Sequence, residues 1–251
     1  QEIQRRRSVR GIVRLIVAAI GISFSLFQLF LAAQGFSFGF HVPFVGEIEI
    51  LSLQLLQANA IHVAFALALT FLLYPPSTGD GYFARTAGRF VERVRFRFGT
   101  DHPVTTTVDT VRRGVRWALL DPEQERVTPV DIVLLGFSIL YPIYFITDFQ
   151  EIQNMRALGL QAGRPIYEVF TFLDPVLGPG IPGADVSYAF ALGVIGVLLV
   201  LEATRRTIGL PLMIIVATFI IYARWGFLIG QDVPYLGILS IPELSWESII
   251  Q

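Results

Sequence analysis

Five long apolar stretches, each with its charges confined to the ends, constrain this chain more than any other feature of its sequence. A helix needs about 20 apolar residues to cross the hydrocarbon core of a bilayer. The stretches cover residues 12–33, 58–74, 132–147, 186–201 and 207–223. Only 16% of the residues are charged, whereas a soluble domain carries about 25%. The sequence therefore predicts an all-α integral membrane protein with about five transmembrane helices.

The arginines predict how this protein is oriented. In an alternating five-helix topology, most of the 19 basic residues, all of them Arg, fall on one side. The first group, Arg5, Arg6, Arg7, Arg10 and Arg14, precedes or begins the first stretch. The opposite side holds only three arginines, together with ten of the 20 acidic residues. Because arginine-rich loops stay in the cytoplasm, we predict a cytoplasmic amino terminus and a multi-pass protein of the cell membrane.

The loops contain candidate interfacial segments. In the cytoplasmic arginine-rich loop 75–130, arginines alternate with apolar residues over 85–98 and 109–120. This pattern predicts amphipathic helices that lie on anionic headgroups, and a solvated basic linker is an equal alternative. On the other side, residues 47–57 alternate in part and are placed in the outer interface. In the outer loop 148–185, residues 150–160 are compatible with one short helix.

The residue patterns typical of catalytic sites are mostly missing from the sequence. The chain has no cysteine, which excludes disulfides, thiolate metal sites and cysteine nucleophiles. Of its three histidines only His62 lies in or near a membrane helix, and we interpret it as a packing or interfacial residue. Phosphate-binding glycine loops and hydrolase motifs do not occur. The net charge of −1 offers no basic surface for nucleic acid. We therefore expect no enzyme, catalytic residue, cofactor or metal site in this chain.

The polar residues inside the stretches are mostly uncharged. Charged groups deep in a membrane usually mark a transport pathway, but Arg14 lies only one turn from a helix end. Serines and threonines in the spans suit hydrogen bonds between helices. A protein that moves an ion or a carboxylate by itself is expected to have broken helices and polar groups at mid-membrane. Pro142 predicts at most a kink, so the sequence favours a scaffold over a pump.

The most specific string is LVLEATRRTIG at residues 199–209. Glu202 is spaced to form ion pairs with Arg205 and Arg206, and Gly209 predicts a break before the next helix. We predict that Glu202, Arg205, Arg206 and Gly209 form a structural clamp at a helix end. The alternative is a simple positive-inside stop.

This string resembles the tripartite ATP-independent periplasmic (TRAP) transporter permeases, in particular the TAXI-type fused form. Further similar segments occur in order: SLFQLF (25–30), AIHVAFALALTFLLYP (60–75), IGVLLVLEATRR (195–206) and GLPLMIIVATFIIYA (209–223). The resemblance implies that residues 1–206 are the small, DctQ-like membrane domain with four transmembrane helices. Residues 207–251 are then a fifth transmembrane helix and a linker toward a large, DctM-like transport domain outside this sequence.

The resemblance also implies a function. Such systems import an organic acid or similar solute that an extracytoplasmic binding protein delivers, with sodium as the usual coupling ion. Sodium and substrate bind in the large domain, so no ligand residue is expected here. The implied partners are that domain, the binding protein and the lipid bilayer. Two alternatives remain open: a non-transporting membrane adaptor, and a membrane redox subunit, which the histidine content disfavours.

Overall fold

The computed structural model describes residues 6–34, 37–42, 46–77, 82–99, 102–157, 165–169, 171, 175, 186–230 and 237–250. This part of the chain is mainly helical. It divides into two compact units, Gln1–Ser52 with His62–Ile139 and Leu53–Ile61 with Leu140–Gln251.

The elements follow one another along the described residues as helices interrupted by one hairpin. In chain order they are α1 (Gly11–Gln34), β1 (Ser37–Val42), β2 (Gly46–Ser52), α2 (Leu55–Leu73), α3 (Tyr82–Phe98), α4 (Pro103–Leu119), α5 (Pro129–Thr147), α6 (Phe149–Ala157), α7 (Ile166–Val169), α8 (Tyr188–Thr207), α9 (Leu210–Trp225) and α10 (Trp246–Ile250). Short 3₁₀ turns cover Gly226–Leu228 and Gly237–Leu239.

Five of these helices are long and apolar enough to cross a membrane: α1, α2, α5, α8 and α9 with the turn that follows it. They correspond to the five predicted stretches. None of the apolar stretch of α1 is buried, and Ile12 and Leu15 expose 73% and 70% of their surface. Contiguous apolar exposure of this kind is rare on water-soluble proteins. The helices are those of a multi-pass membrane protein, with lipid as the solvent of their apolar faces.

The bounds of three predicted spans need correction. Helix α8 does not stop at residue 201 but continues to Thr207, and α9 begins at Leu210. Charges therefore do not end α8, because long arginine side chains can reach the interface while the backbone stays helical. Helix α2 also starts earlier than predicted, at Leu55.

A β-hairpin that the sequence did not predict precedes α2. Strands β1 and β2 pair antiparallel, with Ser37 opposite Ser52 and Val42 opposite Gly46, and the register shifts between Phe38 and Gly39. The alternation noted in residues 47–57 belongs in its first part to β2, where a period of two is the strand pattern. Its second part lies in the start of α2.

The two predicted amphipathic segments are the helices α3 and α4, which form a helical hairpin. The side chain of His102 caps α4 by accepting a hydrogen bond from the Val104 backbone N–H. The Thr105 hydroxyl donates to the Gly99 carbonyl at 2.7 Å, which closes the connection between the helices. Helix α6 matches the start of the predicted helix 150–160, and residues 158–164 lie outside the described part of the chain.

The second unit has a small apolar core made by Tyr144, Ile152, Ala189 and Leu192. Its carboxyl-terminal helix α10 lies against α8 at Gly193. A Cβ atom at that glycine would lie 2.5 Å from Cγ2 of Ile250 and 3.0 Å from its backbone oxygen. The contact therefore requires the absence of a side chain at residue 193.

Candidate functional site

A buried arginine joins two helix ends and one loop of the first unit. Arg7 donates from Nε to Oδ2 of Asp121 at 3.0 Å and from Nη2 to Oδ2 of Asp131 at 2.8 Å. Its Nη1 donates to the backbone oxygens of Phe71 and Leu72, at 3.2 and 2.9 Å. The Arg7 side chain has no exposed surface. We call these five residues the Arg7 cluster.

The local sequence explains why the end of α2 and the start of α5 can both bind Arg7. The last carbonyl groups of a helix have no partner within the helix, so the end of α2 attracts a cation. At the start of α5, the Thr128 backbone N–H donates to Oδ2 of Asp131 at 2.8 Å, and the Asp131 N–H donates to Oγ1 of Thr128 at 3.4 Å. This is a capping box, followed by Pro129 at the first helical position. The Asp131 carboxylate thus caps α5 and also binds Arg7.

Backbone hydrogen bonds hold the segment around Arg7 in the same place. The Arg7 N–H donates to the Leu73 oxygen at 2.7 Å, and the Ser8 N–H donates to the Gln124 oxygen at 2.8 Å. The segment before α1 therefore lies between the end of α2 and the connection from α4 to α5. Because main-chain and side-chain bonds agree, the position of Arg7 is fixed by several independent contacts.

The predicted residues Glu202, Arg205 and Arg206 lie together in the second unit, and we call them the Glu202 cluster. Arg205 binds Glu202 through two nitrogens, Nε to Oε2 and Nη2 to Oε1, both at 2.7 Å. Arg206 Nε donates to Oε1 of Glu202, also at 2.7 Å. The Arg206 side chain has no exposed surface, whereas that of Arg205 is 26% exposed. Both ion pairs anticipated from the spacing are present.

Gly209 provides the turn between α8 and α9. Its φ angle is 110°, in a region that residues with a Cβ atom rarely adopt. The backbone N–H groups of Ile208 and Gly209 both donate to the Thr204 oxygen, at 2.9 and 3.1 Å, and so terminate α8. The cluster and the turn are adjacent along the chain, and their role as a clamp stays a prediction.

His62 contacts α1 within the first unit. Its ring lies edge-on to Phe24 with centroids 5.0 Å apart, and its Nδ1 is hydrogen-bonded to the side-chain nitrogen of Gln28. Phe65 stacks on Phe24 at 5.3 Å. These contacts agree with the interpretation of His62 as a packing residue between two helices.

The Arg7 cluster is the part of the site that sequence reasoning missed. Arg7 was one of five amino-terminal arginines, and Asp131 was only a charge at a helix end. The Thr128–Asp131 capping box was a readable sign of the start of α5, but nothing in the sequence pairs it with Arg7. Within the described ranges, no three His, Asp or Glu side chains are grouped as metal ligands would be. The Arg7 cluster joins separate elements with charge-assisted hydrogen bonds, whereas the bonds of the Glu202 cluster link side chains of one helix.

Fold and clusters together define a class: a multi-pass helical membrane protein in which one buried arginine, Arg7, joins the end of one span to the start of another. No family model, no curated protein and no solved structure matches the chain. We therefore infer a function from the residues and their geometry.

Proposed function

We propose that this chain is the small, supporting membrane part of a TRAP-type secondary transporter. A large transport domain, fused or separate, then moves an organic acid or similar solute with sodium. An extracytoplasmic binding protein delivers that solute. The chain itself performs no catalytic step and holds no cofactor or metal, since sodium binds in the large domain. Its amino terminus lies in the cytoplasm of a cell whose cytoplasmic membrane it spans.

The observation that carries the proposal is the placement of charge in the spans. In the described residues of α1, α2, α5, α8 and α9, Asp, Glu and Arg lie within two turns of a helix end. A domain that carries a solute needs polar groups and interrupted helices near the middle of the membrane. Spans in which Asp, Glu and Arg are confined to the ends suit a domain that stays still while another moves.

The Arg7 cluster supports the same function. One guanidinium group contacts two carboxylates and two carbonyls that belong to the end of α2, the start of α5 and the loop before it. Removing one partner of a buried ion pair costs about 3–5 kcal/mol. The cluster therefore resists relative motion of these helix ends, as a support requires.

Uptake into sealed vesicles tests the proposal. The chain is reconstituted with the large transport domain and the binding protein, and labelled carboxylates are offered with a sodium or a potassium gradient. We expect uptake that requires all three proteins and sodium. Vesicles that lack only this chain are the control. Equal uptake without the chain, or no uptake of any carboxylate by the folded assembly, would favour the membrane adaptor instead.

The Glu202 cluster offers a test at residue level. We expect Arg205→Ala with Arg206→Ala to weaken co-purification of the large domain while the half-saturating solute concentration stays unchanged, because the pair lies at a helix end. Arg6→Ala with Arg10→Ala removes the same charge from exposed positions and is the matched control. Normal assembly with an altered half-saturating concentration would contradict the supporting role.

The binding protein should dock on the outer face of the membrane. The acidic balance of the outer loop 148–185 motivates this part of the proposal, although much of that loop lies outside the described residues. Deleting residues 158–164 should reduce uptake that depends on the binding protein. Unchanged uptake after the deletion would place the docking surface elsewhere.

A further inference from the structure

A groove between α3 and α4 concentrates positive charge on one side of this helical hairpin. It has a volume of about 360 Å³ and is lined by Arg95, Asp109, Arg112, Arg113 and Arg116. Four arginines thus share the groove with one carboxylate. An anion would find several guanidinium groups within one concave surface.

The contacts within the groove leave most of this charge uncompensated by its lining. Nη2 of Arg95 pairs with Oδ2 of Asp109 at 2.9 Å. Nη2 of Arg113 donates to the Thr110 hydroxyl, a neutral acceptor, at 3.4 Å. On α3, Gly88 faces Arg112, whose Nη2 would lie 3.7 Å from a Cβ atom at that position. Arg112 therefore lies against the α3 backbone at Gly88, at a distance that would still leave room for a Cβ atom.

An exposed apolar stripe runs along α4 beside the arginines. Val104, Val111, Val115 and Leu119 expose 43%, 60%, 49% and 40% of their surface. Their spacing places them on one face of the helix, and the arginines of α4 occupy the adjoining sector. An apolar face next to a basic face is the layout of a helix that lies in the headgroup region of a membrane.

We propose that this groove binds the phosphate group of an anionic membrane phospholipid. The planar guanidinium groups match phosphate oxygens in a forked geometry. The apolar stripe would then contact the acyl chains of the same lipid layer. A free anion would use the arginines but leave the stripe exposed to water, so the combined surface fits a lipid. This site does not depend on the chain being part of a transporter.

Lipid titration of the purified full chain tests the site. Native mass spectrometry measures binding of dioleoyl phosphatidylglycerol and, for comparison, dioleoyl phosphatidylcholine. An arginine near an anionic lipid surface contributes about fivefold to binding, so Arg112→Gln with Arg116→Gln should weaken phosphatidylglycerol binding about 25-fold. Arg93→Gln with Arg97→Gln removes the same charge from α3 outside the groove lining and should cost far less. Binding of phosphatidylcholine should not change.

A second variant gives a change of the opposite sign. Asp109→Asn removes the carboxylate from the groove and should tighten phosphatidylglycerol binding about fivefold, a gain that misfolding cannot produce. If the two double variants lose equal amounts of phosphatidylglycerol binding, the lipid responds to the overall positive charge of the hairpin and the proposed site is wrong. Displacement of the lipid by inorganic phosphate at the same concentration, or weaker lipid binding by Asp109→Asn, would also overturn the site.

Discussion

Replacing Arg7 by Gln is the sharpest test of the buried cross-link in the first unit. The substitution leaves two carboxylates, whose side chains are 2% and 0% exposed, without the cation that both contact. It also removes the donor to two carbonyls at the end of α2. An uncompensated buried charge costs about 3–5 kcal/mol. We therefore expect the variant to lose most of that amount in its free energy of unfolding.

The effect can be measured as a shift in Tm. For a chain of 150–250 residues, 1 kcal/mol corresponds to about 2–4 °C, so the predicted loss is about 6–20 °C. Intrinsic tryptophan fluorescence of the protein in nanodiscs reports the transition.

Arg10→Gln is the matched control for this experiment. Arg10 pairs with Glu125 at 3.2 Å, but the two side chains are 76% and 46% exposed. An exposed pair contributes about 0–1 kcal/mol, so Tm should fall by no more than about 4 °C. Adding Asp131→Asn to Arg7→Gln should recover part of the loss, because it removes one uncompensated charge. If Arg7→Gln and Arg10→Gln lower Tm equally, the burial argument is refuted.

Two further predictions concern α8 and the orientation of the chain. Gly193→Ala should displace α10 and raise hydrogen exchange over residues 246–250, because its Cβ would lie within 3.0 Å of Ile250. Gly114→Ala is the control, since a Cβ there meets nothing within 4 Å, and it should leave this exchange unchanged. Equal exchange in the two variants would count against the contact. Since the chain has no cysteine, Thr106→Cys provides a single thiol on an exposed position of α4. A membrane-impermeant maleimide should label it only from the cytoplasmic side, and Gly230→Cys only from the outside; the reverse would invert the proposed topology.

The helices were predictable from the sequence because each depends on a local property. Apolar length predicted all five spans, and the mixture of arginine with apolar residues predicted α3 and α4. The predicted end of α8 was wrong because the charged residues there were interpreted as the end of the helix. Glu202, Arg205 and Arg206 pair with each other along one helix face, so their charge does not stop α8, and Gly209 ends the turn that follows.

The hairpin and the Arg7 cluster were not predictable, because each depends on contacts with another segment of the chain. Strand β2 has a readable alternation, but a strand of seven residues is specified only together with its partner β1. Five amino-terminal arginines look equivalent in the sequence, and only tertiary structure selects Arg7 for burial. Its ligands Asp121 and Asp131 lie 114 and 124 residues further along the chain. No local pattern encodes such a pair.

That separation has a consequence for how the protein is made. Asp131 leaves the ribosome only after another 124 residues have followed Arg7, which takes about 6–25 s at 5–20 residues per second. During this interval two spans have already entered the membrane while Arg7 has no carboxylate to bind. The amino-terminal segment therefore docks late in synthesis, once the start of α5 has been made. The cluster thus closes only after the first two spans and the start of the third have been made.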